Sequence, residues 1–121
     1  MKRATGIGGV FFKAKDPKAL AAWYEKHLGL PFDGNTYATI VWDKAGGKTS
    51  FAVFPEDTDH FKPSEKPFSL NFRVDDLVAL VAVLKEEGVD VNDKIEEHSY
   101  GKFGWLIDPE GNRVELWEPA S

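Results

Sequence analysis

The sequence repeats one pattern: an aromatic residue, an aspartate four positions later, and a glycine at the end of the helix-like segment that follows. The matching pairs, shifted by 60, 60 and 59 positions, are Phe12 and Phe72, Asp16 and Asp76, and Gly29 and Gly88. Two copies of one supersecondary unit bury their apolar faces against each other, and the space between them is a natural place for a ligand. The repeat therefore predicts two modules of one fold around a shared site.

Length limits how these modules are organised. A chain of 121 residues is enough for one hydrophobic core but too short for two independent ones. We therefore expect a single domain over residues 1–121. Module one covers residues 5–55 and module two covers residues 68–119. The segment 56–67 between them is polar and rich in proline, as a surface linker would be.

Composition excludes several classes of partner. No apolar run is long enough to span a bilayer, and the first residues lack the apolar stretch of a secretory signal, so we expect a cytoplasmic protein without a membrane partner. The net charge is −5 and no run of Lys and Arg is present, which argues against nucleic acid. The absence of cysteine excludes disulfides and thiolate metal ligands.

Each module begins with a strand and a helix. Residues 7–15 are β-rich and end at Asp16-Pro17, a typical helix start. Apolar residues then recur at three- and four-residue spacing and predict one sheet-facing helix side, formed by Leu20, Trp23, Tyr24, His27 and Leu28. In module two the corresponding residues are Leu77, Leu80, Val81 and Leu84. Both helices are expected to cover a sheet.

Short β-like segments follow each helix. They are residues 36–43 and 48–54 in module one, and residues 94–100, 103–107 and 113–117 in module two. The turns at 43–47 and 108–112 each begin with Asp, contain Gly three residues later, and are related by a shift of 65.

This order of elements resembles the glyoxalase, bleomycin-resistance and extradiol-dioxygenase superfamily, also called the vicinal oxygen chelate family. The resemblance covers essentially the whole chain, and its most specific part is Asp-Pro-Glu-Gly-Asn at 108–112 followed by Val-Glu-Leu at 114–116. It implies an α+β fold of two paired βαβββ modules, whose curved, antiparallel-rich mixed sheets enclose a cavity with the helices outside. It also implies a homodimer, with modules paired within one chain or swapped between chains.

Enzymes of this family hold a divalent metal ion on His and Glu side chains. The usual first His position is Gly9 here, and its equivalent in module two is Ser69. Glu115 is present, but a shift of 65 makes Ser50 its counterpart, or Phe51 if the register slips by one. One carboxylate does not make a metal site. We therefore expect no metal ligands and no cofactor, and a divalent metal is disfavoured.

The three histidines do not complete such a site. His27 lies on the first helix and is interpreted as structural, and His60 lies in an acidic linker and is interpreted as solvated. His98 follows Glu96 and Glu97 in a strand near the cavity mouth, where it is either a surface residue or a general base.

Strand alternation predicts which side chains face the cavity, because alternate residues share a face of the sheet. In residues 69–74 the apolar set Leu70, Phe72 and Val74 should pack under the helix, which leaves three polar residues on the cavity side. Together with Tyr100, which precedes the last hairpin, and aromatic residues of other strands, the predicted ligand-binding set is Phe11, Trp42, Ser69, Asn71, Arg73, Tyr100, Trp105 and Trp117.

Glu115 is the candidate catalytic residue. Arg73 and Glu115 either form a structural ion pair, since an isolated buried charge is costly, or act separately. In the second case Arg73 binds an anionic oxygen of the ligand and Glu115 accepts a proton.

Three functions remain open. The first is a metal-free protein that binds a small aromatic or anionic organic molecule. The second is a lyase, isomerase or dioxygenase-type enzyme that uses Glu115 as base or ligand. The third is a scaffold whose cavity is filled by its own side chains.

Overall fold

The computed structural model describes residues 3–41 and 48–120, without the side chains of His27 and Leu28. Within these ranges ten elements follow one another: β1 (Ala4–Ala14), α1 (Pro17–Leu28), β2 (Tyr37–Val41), β3 (Lys48–Pro55), β4 (Phe68–Val74), α2 (Leu77–Glu86), β5 (Asp90–Val91), β6 (Glu96–His98), β7 (Gly101–Ile107) and β8 (Arg113–Pro119). The predicted strand at 94–100 is shorter than expected, and the predicted turn at 43–47 lies outside the described residues.

All eight strands form one mixed sheet in the order β2-β3-β1-β4-β8-β7-β5, with β6 paired to β7. The first strands of the two modules, β1 and β4, pair antiparallel at the centre. Each is flanked by a parallel partner from its own module, β3 and β8 respectively. The predicted α+β class, with a curved mixed sheet around a cavity and helices outside, is confirmed.

The helices start where the sequence predicts. The side chains of Asp16 and Asp76 accept hydrogen bonds from the backbone N–H groups of Ala19 and Ala79, each at 3.1 Å. This contact satisfies one of the free N–H groups at a helix start. Gly29 ends the first helix with a left-handed φ of 70°. Among the described residues, no helix is long and apolar enough to cross a membrane.

Two apolar clusters lie between the sheet and the helices. Under α1 the buried residues are Ala21, Phe32, Ala38 and Val53, and under α2 they are Val74, Leu77, Leu80, Val81, Val114 and Leu116. Trp23, expected on the sheet-facing side of α1, is 52% exposed, because the short side chain of Ala21 takes the buried position.

Leu70 also departs from its predicted place under a helix. It pairs with Val10 of β1, and both side chains are about two-fifths exposed (39% and 40%). The reason is the placement of the helices, since α1 and α2 cover separate halves of the sheet and their clusters do not include this central pair.

Candidate functional site

The concave face of the sheet encloses an open cavity of about 620 Å³. Its wall receives side chains from seven strands and from two loop residues, His60 and Tyr100. The lining residues are Phe11, Tyr37, Thr39, Ser50, Ala52, Phe54, His60, Asn71, Glu96, His98, Tyr100, Phe103, Glu115 and Trp117. A cavity of this size and largely aromatic character suits a small organic molecule.

Glu115 forms the polar centre of the cavity floor. Glu115 is 7% exposed, and its Oε1 accepts a hydrogen bond of 2.7 Å from Nδ2 of the fully buried Asn71. The two residues are direct partners in the parallel pairing of β4 with β8. Gly8 makes room for this amide, because a Cβ at that position would lie 1.9 Å from Oδ1 of Asn71.

His60 approaches Glu115 from the segment between the modules. Its Nε2 lies 3.7 Å from Oε2 of Glu115, and its ring stacks on Phe54 with 4.7 Å between centroids. The next residue, Phe61, is fully buried against Phe11 and other apolar residues of the concave face. Part of the predicted surface linker therefore covers one end of the cavity.

Arg113 holds this segment in place. Nη1 of its buried guanidinium donates a hydrogen bond to the backbone carbonyl of His60. The group also lies over the ring of Trp105, 4.8 Å from the centroid. Burial lowers the pKa of Arg113, and the nearby carboxylates of Glu115 and Glu96 act in the opposite direction.

Aromatic residues of module two form the opposite side of the cavity. The rings of Phe103 and Trp117 are nearly parallel, at 5° and 6.1 Å between centroids, and those of His98 and Tyr100 stack at 3° and 5.1 Å. Nε1 of Trp117 donates to the carbonyl of Tyr100 at 3.2 Å. This contact requires Gly101, because a Cβ there would lie 2.6 Å from the same nitrogen.

The structure brings five of the predicted site residues together in the wall, namely Phe11, Asn71, Tyr100, Glu115 and Trp117. Ser69, Arg73 and Trp105 are not among the lining residues. Ser69 is buried and donates from Oγ to the carbonyl of Arg113 at 3.0 Å, and Trp105 faces the Arg113 guanidinium. Trp42 lies outside the described residues. Whether Arg73 and Glu115 form an ion pair or act separately on a ligand stays open, as the sequence left it.

The positions that would hold the family's metal do not fit one. A side chain at Gly9 would place its Cβ 2.7 Å from the carbonyl oxygen of Ser50, so a histidine has no room there. The strand register also shows that the counterpart of Glu115 in module one is Ala52 and not Ser50 or Phe51. Asn71 lies opposite Glu115, and Phe11, the residue 60 positions before Asn71, lies opposite Ala52. Alanine has no donor atom in its side chain. Within residues 3–41 and 48–120, no three His, Cys, Asp or Glu side chains are placed to hold one metal ion.

Sequence reasoning placed His60 in solvent and left Glu96, Phe54 and Phe103 out of the wall. The available signal for His60 was its neighbour, since Phe61 is a large apolar residue in an otherwise polar segment. Because Phe61 is buried against the concave face, the neighbouring His60 lies at the cavity. The other three residues required the strand register, because Glu96 reaches the cavity through pairing with Phe103 across β6 and β7.

Comparison with solved structures supports the fold. Methylmalonyl-CoA epimerase from Streptomyces coelicolor, solved in complex with 2-nitronate-propionyl-CoA, is 19% identical, with a TM-score of 0.74 over 98% of this chain and 99% of that one. The Mycobacterium tuberculosis epimerase is 20% identical, with a TM-score of 0.70 over 100% and 92%.

A glyoxalase/bleomycin resistance protein/dioxygenase superfamily member from Vibrio splendidus 12B01 is 14% identical, with a TM-score of 0.58 over 93% of this chain and 97% of that one. No curated protein sequence matches the chain. The family's sequence model matches residues 6–116, and the chain therefore belongs to the Glyoxalase/Bleomycin resistance protein/Dioxygenase superfamily.

Proposed function

We propose that this protein binds a small aromatic organic molecule in the cavity and does so without a divalent metal ion. The observation that carries the proposal is the composition of the wall, in which six aromatic residues surround one buried carboxylate: Phe11, Tyr37, Phe54, Tyr100, Phe103 and Trp117 around Glu115. Aromatic rings bind flat ligands by stacking and edge contacts, and a single polar group fixes the ligand's orientation.

Tryptophan fluorescence tests the binding. We expect a saturable change in emission with at least one member of a panel of aromatic compounds. The change should disappear in Trp117→Phe, which removes the indole in the wall, and remain in Trp23→Phe, which alters an exposed residue of α1. The absence of a saturable response across the panel would contradict the proposal.

The metal-free part has its own test. Protein purified without an affinity tag should contain far less than one divalent ion per chain, and a chelator should leave ligand affinity unchanged. A stoichiometric ion would show that donors outside the expected positions form a site.

A second candidate is a proton-transfer isomerase. The specific observation is the 3.7 Å approach of His60 Nε2 to Glu115 Oε2, which puts a carboxylate and an imidazole at one place on the wall. Such a pair can remove a proton from a carbon acid and return it. Two of the solved structural relatives are methylmalonyl-CoA epimerases, so methylmalonyl-CoA is the first compound to test.

Exchange of the substrate α-proton in D₂O, followed by proton NMR, measures this activity directly. If the pair is catalytic, Glu115→Gln should slow exchange by about 100-fold or more. Asp59→Asn, at an exposed carboxylate one residue from His60, should leave it unchanged. Exchange no faster than the uncatalysed rate with a series of acyl thioesters would leave binding as the function.

The expected homodimer and cytoplasmic location stay predictions. Sedimentation velocity would test the first, because a dimer of 13.5 kDa chains separates clearly from a monomer.

A further inference from the structure

The cavity wall carries more negative than positive charge. Among residues 3–41 and 48–120, two carboxylates belong to the wall, Glu115 on the floor and Glu96 on β6, and no Lys or Arg side chain does. The other titratable groups of the wall are the imidazoles of His60 and His98 and the phenols of Tyr37 and Tyr100. None of these carries a fixed positive charge.

Glu115 has hydrogen-bonding capacity left on the cavity side. A carboxylate accepts about four hydrogen bonds. Oε1 receives one from Asn71, whereas Oε2 lies 3.7 Å from His60 Nε2, which is beyond hydrogen-bond distance. Glu115 lines the cavity and its side chain is 9% exposed, so a donor in the cavity can reach the carboxylate.

Arg113, which is not among the lining residues, compensates part of this charge. Arg113 attracts both Glu115 and Glu96, but its guanidinium is directed to the carbonyl of His60 and the ring of Trp105. Two carboxylates of the wall thus share the attraction of this one guanidinium. Lys13, on the same face of the sheet, lies over the ring of Phe61, 5.9 Å from its centroid.

The aromatic walls add to this preference. The faces of aromatic rings attract cations, most strongly when water is excluded. Glu96 and the rings of Phe103 and Trp117 lie on neighbouring strands, because Phe103 pairs with Glu96 on one side and with Trp117 on the other. Carboxylates and aromatic rings thus border the same space.

We infer that the ligand of this cavity is an aromatic cation, that is, a flat ring system carrying a protonated amine or an alkylated ring nitrogen, with the charge directed at Glu115 and Glu96. This inference rests on the proposed binding function and narrows it. It replaces the anionic ligand expected from Arg73, which is not part of the wall. Binding of a cation also needs no metal, because the carboxylate itself is the partner of the ligand's charge.

Three naphthalene derivatives that share a ring system and differ in charge test the inference: 1-naphthylmethylamine, 1-naphthylmethanol and 1-naphthylacetate. Isothermal titration calorimetry at neutral pH and low ionic strength gives the affinities. We expect the amine to bind about tenfold more tightly than the alcohol, or about 1.4 kcal/mol, and the carboxylate to bind more weakly than both. Added salt should weaken binding of the amine and leave the affinity for the alcohol unchanged.

Two variants locate the charge effect. Glu115→Gln should reduce the preference for the amine over the alcohol from about tenfold to below about threefold, because it removes the buried negative charge that the ammonium group would face. Glu96→Gln should reduce the preference for the amine in part. This variant remains informative if Glu115→Gln, which alters a buried residue, prevents folding. Glu97→Gln is the matched control, because it removes the same charge from the next residue of β6. Glu97 is not among the lining residues, and its Oε1 lies 3.8 Å from Nζ of Lys102.

The outcomes separate the two proposals. If 1-naphthylacetate binds as tightly as 1-naphthylmethylamine, the inference is overturned while aromatic binding stands. The same holds if the preference for the amine over the alcohol survives both Glu115→Gln and Glu96→Gln. If none of the three compounds binds, and the fluorescence panel is also negative, the proposed binding function fails and the inference fails with it.

Discussion

In both modules the helix begins at an aspartate that accepts a hydrogen bond from the N–H group three residues later, at the same distance of 3.1 Å. On the cavity floor the modules differ. Module one places Phe11 opposite Ala52, whereas module two places Asn71 opposite Glu115. The contacts that every copy of the unit needs in order to fold are shared, and the residues that face the cavity have diverged. The buried polar pair of the cavity floor therefore comes from module two.

The two cores give the largest test of this comparison. Module one packs aromatic residues around Phe32, and module two packs aliphatic residues around Leu77. We expect Phe32→Ala to lower the free energy of unfolding by about 3–5 kcal/mol and Leu77→Ala by about 2–5 kcal/mol. Urea denaturation followed by circular dichroism measures both, and Val78→Ala, at an exposed position of α2, should change it by no more than about 0.5 kcal/mol.

Both core variants should unfold in one transition, because β1 and β4 join the modules in a single sheet. Two separate transitions would show that the modules fold independently.

The buried polar pair of module two gives the next largest effect. Asn71→Leu removes the amide that donates to Glu115 and leaves a buried carboxylate without it, so we expect a loss of about 1–3 kcal/mol. Adding Glu115→Leu should recover most of that loss, since an apolar pair resembles the floor of module one. Urea midpoints of the single and double variants give the coupling. A double variant as unstable as the sum of both singles would show that the pair is not coupled.

The helix caps test what the modules share. Asp16→Ala and Asp76→Ala should each lower the free energy of unfolding by about 1 kcal/mol, since each removes the acceptor for one helix-start N–H group. Thermal denaturation of both variants beside Asp75→Ala, an exposed residue next to the second cap, measures the difference. Clearly unequal losses would show that the repeat is similar in sequence but not in energetics.

The smallest effect concerns the turn between β7 and β8. The side chain and backbone N–H of Asn112 hydrogen-bond to Asp108 and lower the pKa of its carboxyl below the ordinary value of 3.8. The stabilisation is present above that value and is lost as pH falls through the lowered pKa. We expect Asp108→Ala to be less stable than the natural protein at pH 6 and the gap to narrow below 3.8. Urea midpoints across this range, with Glu110→Gln as control, provide the measurement; a gap that is constant with pH would contradict the assignment.

The sequence predicts the fold well because the repeat, the caps and the apolar spacing are local signals. Alternation also brings Asn71, Glu115 and Trp117 to the cavity. Strand alternation cannot separate the residues that line the cavity from others on the same face of the sheet. It therefore predicts Ser69 and Trp105 as ligand-binding residues, although Ser69 hydrogen-bonds to the backbone of Arg113 and Trp105 contacts its guanidinium. That distinction depends on which parts of the face other groups cover.

The place of His60 depends on long-range contacts. Its backbone carbonyl receives the hydrogen bond from Arg113, 53 residues away, and its ring stacks on Phe54 of another strand. The counterpart of Glu115 also required the structure, because the pairing register differs by two positions from the shift of 65 between the turns. No spacing rule within one sequence contains this information.

The attachment of residues 56–67 to the cavity separates two kinds of evolutionary change. Pro67, the last residue of this segment, hydrogen-bonds to the backbone of a sheet strand, accepting from the N–H of Lys13, whereas His60 and Phe61 both contact the concave face. An insertion or deletion in this connection would reshape the ligand's surroundings and leave the hydrogen-bonded scaffold intact. The segment that joins the duplicated halves is thus a place where ligand preference can change without refolding the protein.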